Sequence, residues 1–446
     1  MEKKTKLLNF IKGVLIVLAA AGILAGLSRL LVLKSEDGIN QFDAFYKQPK
    51  NSVDVIFSGS SKVYCDIATG VLWDNYGIAA FDLGGAEAPS WVSYYQLKEA
   101  LRTQRPKVIF YEVSVTAMFD VLHQRHSWAS DNAYGMRWNS NRIDQLRVNS
   151  DGDDFYLRLN PFNVMHGRYN DLSENDFLNV RNTANYKGFD PREATVEQDR
   201  PDIDNVTDMT ACSEKEEEYT RKIIAFAKEE GVPIVLFASP YHVGEGGEKI
   251  LNYMGMIAES EGADFIDFNR RYDEIGLDFA TDMADTDHLN YKGNYKFSNY
   301  LGSILRDEYG LPDRRGDERY VSWEWDAALQ RNERRDQAIR ECESVTDVMA
   351  LTDQNYLVFA INEGNAIIYE NNRIADLQEI NEDNEDSFFR MTARSGKDTF
   401  LFTANRVSGD RRCSLFVNDR EYREDFGNIA FVYDALRHEY IRSIAF

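Results

Sequence analysis

Three short stretches of this chain carry residue types that can do chemistry together. The first is Val55-Ile56-Phe57-Ser58-Gly59-Ser60-Ser61, a β-branched and aromatic run closed by a Gly-Ser-Ser turn. Such a run reads as a buried strand, and a strand passing directly into a helix delivers Ser61 to the carboxyl edge of a parallel sheet, where ligands collect. The unpaired N–H groups of that first helical turn, beginning with the N–H of Ser61, would face an oxyanion developing there. The second stretch is Asp285-Thr286-Asp287-His288-Leu289-Asn290, just ahead of a helical run. With an acid three residues before it, His288 can hold a carboxylate on one ring nitrogen and keep the other for a serine. The spacing favours Asp285 as that acid, with Asp287 as the alternative. The third is Leu83-Gly84, where a backbone without a side chain can bring a second N–H, that of Gly84, close to the reacting carbon. A nucleophile at Ser61, a base at His288 and an orienting acid at Asp285 form the constellation of acyl transfer through a covalent serine.

The surrounding pattern supplies the elements such a site needs. Apolar runs at Val53 to Phe57, Ile78 to Leu83, Lys107 to Val113, Pro233 to Ala238 and Asp264 to Phe268 predict five strands. Helical segments alternate with them: Tyr94 to Arg102, a helix opened by a Ser213/Glu216 capping box and stopped at Gly231, and a closing helix over Asn294 to Glu308. That alternation predicts an α/β fold with a parallel sheet covered on both faces. The serine follows strand one, the glycine strand two, and the acid and histidine precede the last helix.

This order resembles the SGNH (GDSL-like) hydrolase superfamily, and most closely its membrane-anchored branch, which includes the D-alanyl transfer protein of teichoic acid and the alginate O-acetylation proteins. The matching residues are Gly59-Ser60-Ser61, Phe81-Asp82-Leu83-Gly84, Pro106-Lys107-Val108-Ile109, and Asp285 to Asn290 followed by Gly293, over roughly residues 50 to 310. The resemblance implies a flavodoxin-like α/β/α sandwich with Ser61 as nucleophile, His288 as general base and Asp285 orienting it. It also implies a polysaccharide or teichoic-acid-like glycan of the cell surface as substrate, no cofactor, and a multi-pass membrane O-acyltransferase as a source of acyl groups. One departure is plain. The superfamily's third block carries an Asn for the oxyanion hole, whereas strand three here ends Tyr111-Glu112-Val113-Ser114.

Residues 120 to 200 interrupt the alternation as an insertion rich in Trp, Tyr, Asn and Arg, predicted to lie over the sheet edge. His126, Trp128, Tyr134, Trp138 and the His166-Gly167-Arg168 stretch are candidates for a sugar platform there, and His242 follows strand four and borders the site. His123 and His438 have no partner legible in the sequence. Residues 311 to 345 are strongly charged and read as a partly helical linker. From about residue 346, short apolar runs between Asn, Asp and Gly turns predict an all-β module. Its Gly427-Asn428-Ile429 to Tyr433-Asp434 pattern resembles the interleukin-like EMT-inducer β domain, which suggests glycan or partner binding.

The N-terminus is of another kind. Leu7 to Leu33 is apolar apart from Asn9, Lys12, Ser28 and Arg29. This predicts a transmembrane anchor within residues 1 to 34, with Lys12 and Arg29 snorkelling to the interfaces. Lysines before the span favour a cytoplasmic N-terminus and an extracytoplasmic body. A cleaved signal peptide is the competing reading, since Ala25 and Gly26 are small; the apolar residues through Leu33 favour the anchor. The whole chain of 446 residues carries a net charge of −23, and residues 1 to 34 are basic by +5, which leaves the rest at −28. A body so acidic repels phosphate backbones, which argues against nucleic acid as a partner. Four scattered cysteines (Cys65, Cys212, Cys342, Cys413) form neither a disulfide framework nor a metal-ligand spacing, so no metal is expected.

Overall fold

The computed structural model describes residues 2–32, 41–118, 126–150, 152–178, 186–362, 365–370, 388–405 and 411–446, so that His123 lies outside the described residues. The chain divides into two compact units, Met1–Ala327 and Ala328–Phe446.

The first unit is built on five strands: β1 (Val55–Gly59), β2 (Ala80–Gly84), β3 (Val108–Glu112), β4 (Ile234–Ala238) and β5 (Asp264–Asp267). They form one parallel sheet in the order β2-β1-β3-β4-β5. Val55, Ile56 and Phe57 are fully buried, as an interior strand of such a sheet requires. The helix Thr69–Tyr76 packs on Tyr291–Asp307, while Ser90–Ala100 packs on Glu214–Glu229, which in turn touches Glu245–Ser260. Right-handed crossovers place these two groups on opposite faces, which makes an α/β sandwich of flavodoxin-like strand order. In that order the chain reverses direction between β1 and β3, the switch point where a crevice opens beyond the carboxyl ends of the strands.

Half of the predicted capping box is present: Ser213 caps Glu214–Glu229 by accepting from the Glu216 N–H at 3.2 Å, while the Glu216 carboxylate turns to Ser90. Buried Glu216 then accepts from the backbone N–H of Ser90 at 3.1 Å, binding the two face helices together. Between β3 and β4 the described residues form short helices, His126–Tyr134, Ser140–Val148, Asp154–Arg158, Pro161–Met165 and Glu174–Leu178. Ser140–Val148 packs on Ser90–Ala100, and farther along the Lys187 main-chain carbonyl accepts from the Asp82 N–H at 2.8 Å along edge strand β2.

The N-terminal helix Glu2–Leu31 contains a segment, Thr5–Leu31, long and apolar enough to cross a membrane and bare along its apolar length. Within the charged stretch after the sheet, residues Val321–Glu341 are helical.

The second unit holds two four-stranded antiparallel sheets. Its strands are β6 (Tyr356–Asn362), β7 (Asn365–Glu370), β8 (Phe388–Ser395), β9 (Asp398–Asn405), β10 (Arg412–Val417), β11 (Arg420–Asp425), β12 (Ile429–Asp434) and β13 (Glu439–Ala445). Their orders are β11-β10-β9-β8 and β13-β12-β6-β7, and Phe359, Phe402, Leu415 and Phe431 share one core. Strand β11 is not one of the short apolar runs by which the module is read from sequence. Its sequence Arg-Glu-Tyr-Arg-Glu-Asp has no apolar alternation because it is an exposed edge strand, where charge discourages further pairing.

Candidate active site

Strand β1 ends in a turn with no spare room. Gly59 lies at φ +150°, where a Cβ would meet the Glu112 Cβ at 2.7 Å. Gly84, paired with it across β1 and β2, would drive a Cβ to 2.6 Å from the Ser60 carbonyl oxygen. Two glycines side by side thus let the strand ends close on the serine turn. Ser60 caps the helix Ser61–Asp66, so Ser61 is its first residue. The last residue of β3, fully buried Glu112, accepts from the Ser60 hydroxyl at 2.9 Å and from the Ser114 N–H at 2.7 Å. Glu112 therefore occupies the end of the third strand as an acceptor, gripping the turn before the serine, rather than as an amide donor.

On the other side of the crevice, Ala284 N–H donates to the His288 carbonyl at 2.8 Å, and buried Asn290 caps the helix Tyr291–Asp307. This small hairpin presents Asp285 and His288. Ser61 Oγ lies 2.8 Å from His288 Nε2. His288 Nδ1 lies 3.1 and 3.0 Å from the two Asp285 carboxylate oxygens. Asp285 Oδ1 also accepts the N–H groups of Asp287 and His288, at 2.7 and 2.8 Å. Partial burial works against that carboxylate, but the hydrogen bonds from His288 and the two backbone N–H groups outweigh it and hold Asp285 well below the usual carboxylate range. Of the two acids Asp285 reaches the ring within hydrogen-bond distance, whereas the Asp287 side chain meets the Thr286 hydroxyl at 3.4 Å. An ionised acceptor on Nδ1 fixes the tautomer with the proton there, so that Nε2 accepts from the Ser61 hydroxyl.

Two side chains on the serine helix lock the hairpin against it. Lys62, 1% exposed, donates Nζ to the Asp287 carbonyl and lies 3.6 Å from the centre of the Tyr241 ring. Asp66, fully buried, accepts the Leu289 N–H at 2.9 Å. The main chain is thus held on both sides of His288 by residues one and five positions after Ser61. Burial pushes the Asp66 carboxyl well above its ordinary range, against the opposing field of Lys62. The sequence signal for this clasp is a Lys and an Asp at i and i+4 on a helix whose intervening residues, Val63, Tyr64 and Cys65, are all buried.

The crevice opens into a cavity of about 570 Å³ lined by Ser61 and His288 together with Tyr64, Glu87, Trp128, Arg192, Tyr241 and Asp287, among others. Glu87 holds a left-handed backbone conformation, φ +46°, in the loop after β2. Arg192 lies 3.3 Å from Asp190. Neither Glu87 nor Arg192 carried a sequence signal, since each reaches the cavity from irregular chain.

The predicted sugar-platform residues are dispersed. Trp128 lines the cavity, while the His126 side chain lies outside what the structure describes. Trp138 is 60% exposed, with the Arg142 guanidinium 4.6 Å from its ring centre, and is not among the lining residues. Arg168 is committed to the Leu31 carbonyl and to Asp176, at 3.2 Å. His242 sits beside the site through its main chain, donating N–H to the Thr286 carbonyl at 3.1 Å, with its ring against Phe279. Buried Tyr134 donates to the Arg158 carbonyl at 2.9 Å, an ordinary core role. Aromatic composition flagged the insertion; of its described candidates Trp128 reaches the cavity, Tyr134 packs in the core and Arg168 holds the N-terminal helix.

No protein-family model matches the chain, and no curated protein does. Solved structures resemble it at low identity. One is a candidate acylhydrolase from Bacteroides fragilis, 10% identical over 60% of this chain and 94% of that one, with a TM-score of 0.31. Another is an acetylxylan esterase from Geobacillus stearothermophilus, 12% identical over 60% and 99%, with a TM-score of 0.31. A gut microbial diltiazem-metabolizing enzyme is 10% identical over 81% of this chain and 58% of its own, with a TM-score of 0.24. The likeness is one of fold alone.

Proposed function

We propose that the chain is an SGNH-type serine esterase or O-acyltransferase that works on acyl esters through an acyl-Ser61 intermediate. The supporting observation is the unbroken relay of hydrogen bonds from Ser61 Oγ to His288 Nε2 and from Nδ1 to Asp285. In this reading Ser61 Oγ attacks the acyl carbonyl carbon while its proton passes to His288 Nε2. The tetrahedral oxyanion takes the Ser61 N–H at the helix start, with Gly84 as the second backbone donor. Collapse expels the alcohol, which leaves with the proton from Nε2. A second hydroxyl, of water or of a sugar, then gives its proton to Nε2 and attacks the acyl-serine, and Ser61 Oγ leaves with that proton from Nε2, which restores the starting site. Hydrolysis and transfer differ only in which acceptor reaches the ester.

The acceptor we favour is a cell-surface polysaccharide or teichoic-acid-like glycan. Trp128 offers an apolar plate for a sugar ring, and Glu87, Arg192 and Asp287 offer polar contacts around the same cavity. The apolar helix Thr5–Leu31 supports a single-pass anchor, and the lysines ahead of it favour a body outside the cytoplasm, where a multi-pass membrane O-acyltransferase is the acyl supplier we propose. The β unit is proposed as a glycan-binding accessory. Full-length protein should label with a serine-directed fluorophosphonate, and Ser61→Ala should not. Equal labelling of both would exclude Ser61 as the nucleophile. Glycan binding unchanged in Ser61→Ala, with no labelling of the parent, would instead identify a non-catalytic envelope scaffold, the reading that Glu112 in place of an amide donor keeps open.

A further inference from the structure

Outside the N-terminal helix, twelve large apolar or aromatic side chains stand exposed among the described residues, and five fall within residues 156–178: Tyr156, Leu157, Tyr169, Phe177 and Leu178. Their neighbours in sequence tie them to one place. Ser28, in the last turn of the N-terminal helix, donates to the Asn160 side chain at 2.7 Å, just after Tyr156 and Leu157. Arg168, beside Tyr169, donates to the carbonyl of Leu31, where that helix ends. The same guanidinium lies 3.2 Å from Asp176, the residue before Phe177 and Leu178. All three exposed groups are therefore fastened within a few residues of the helix terminus.

We propose that residues 152–178 form a collar lying in the interface of a lipid bilayer crossed by the N-terminal helix, with these five side chains in its headgroup layer. The 27 apolar-rich residues Thr5–Leu31 span about 40 Å at 1.5 Å per residue, against a hydrocarbon core of about 30 Å. The last turns therefore emerge into the headgroup layer, and those are the turns that Asn160 and Arg168 grip. Tyr settles at this depth, Phe and Leu form the apolar face of elements that lie in the interface, and a patch of exposed apolar groups on a soluble face marks such a contact. The attraction is apolar: the stretch holds Asp153, Asp154, Asp171, Glu174 and Asp176 against Arg158 and Arg168, so anionic lipid gives it no advantage. The partner surface is a zwitterionic one. The inference is independent of the chemistry at Ser61.

The test uses the full chain reconstituted in phosphatidylcholine vesicles containing a lipid with a nitroxide near its carbonyls. Leu157→Trp and Phe177→Trp report on the collar, Tyr156→Trp is a second reporter for the first group, and Met209→Trp is the control at a comparably exposed position away from the stretch (Met209 56%, Leu157 54%). The added fluorescence at 157 and 177 should be quenched at least about twofold more than at 209, and a nitroxide at the bilayer centre should quench it less than the shallow one. Quenching equal to that at 209, whether from exposure to water or from cover by a second copy of the chain, overturns the collar. So does a parent protein that does not float with the vesicles.

Discussion

Each unit of this protein contains a histidine whose Nδ1 faces an aspartate, and among the described residues a hydroxyl meets the other ring nitrogen in the first unit's pair, at His288 Nε2. In the β unit, His438 Nδ1 lies 2.5 Å from Asp398 Oδ2, and Asp398 also accepts from the Tyr433 hydroxyl at 2.8 Å and from Asn418 at 3.2 Å. Burial works against the Asp398 carboxylate, yet those three donors hold it below its ordinary value, the same balance that governs Asp285. His438 sits in a left-handed turn, φ +61°, between β12 and β13. There the aspartate gathers loop ends of an antiparallel sandwich. In the α/β unit, the pair stands at the carboxyl edge of a parallel sheet, where a strand end brings Ser61 to 2.8 Å from the free nitrogen and Lys62 and Asp66 hold the hairpin in place. What sets the His288 pair apart is thus the scaffold that aims a serine hydroxyl at its second nitrogen.

The largest expected effects would break this contrast outright. Replacing either Ser61 or His288 with Ala should lower kcat by about 10⁴- to 10⁶-fold in an ester-hydrolysis assay, because the members of such a unit act together. His438→Ala should leave kcat within about twofold; an equal loss there would end the distinction between the pairs. Asp285→Asn keeps the shape but offers an amide to Nδ1, so a drop of about 10³- to 10⁴-fold in kcat is expected with KM little changed. Asp398→Asn should spare kcat and instead lower the stability of the β unit by about 1–3 kcal/mol, since a buried acceptor of several hydrogen bonds is weakened. Urea-dependent pulse proteolysis of the full chain, followed by the fragments of each unit, separates the two outcomes.

The same contrast explains what was legible. Asp285 and His288 are three residues apart, so a single turn can join them and the spacing is visible in the sequence. Asp398 and His438 are forty positions apart and meet only through the β-sandwich, so neither could be paired from sequence. The interior strands β1, β3 and β4 were readable because they are almost continuously apolar and fully buried, and the strand boundaries moved by one or two residues where polar ends such as Ser58-Gly59 complete the ladder. Polar edge strand β11 gave no such signal. The role of Glu112 was likewise hidden: strand three ends in a carboxylate that accepts from Ser60, a contact set by the register of β1 against β3. Gly84 is legible as a candidate donor; that a Cβ there would lie 2.6 Å from the Ser60 carbonyl oxygen, leaving no room for a side chain, is not.

The clasp sharpens the comparison at intermediate magnitude. Lys62→Met should lower kcat about 10- to 100-fold with KM nearly constant, because the Asp287 carbonyl loses its donor and the His288 loop shifts relative to Ser61. Lys62→Arg should recover part of the loss. A merely structural lysine would instead lower the amount of folded enzyme and leave kcat per labelled active site unchanged, which fluorophosphonate titration distinguishes. Asp66→Asn retains an oxygen for the Leu289 N–H and should cost less than about tenfold.

The smallest effect is one of pH, and it again opposes the two units. In the β unit, burial, with the charge of Asp434 adding to it, pushes the Asp336 carboxyl up to about 7, although Tyr356 and Arg437 donate to it. A carboxyl raised in the folded state holds its proton after the unfolded chain has released one, so stability falls as pH rises from about 4 to about 7 and is level above that. Asp285, depressed by its hydrogen bonds, acts with the opposite sign: its contribution is complete above the ordinary carboxylate range and is lost only as the solution becomes strongly acidic. Moving from pH 7 to pH 5 should therefore raise the urea midpoint of the β unit, and Asp336→Asn should flatten that rise. If Asp336→Asn leaves the slope intact, the arginine holds Asp336 ionised throughout, and the pH response of the β unit belongs to another buried acid.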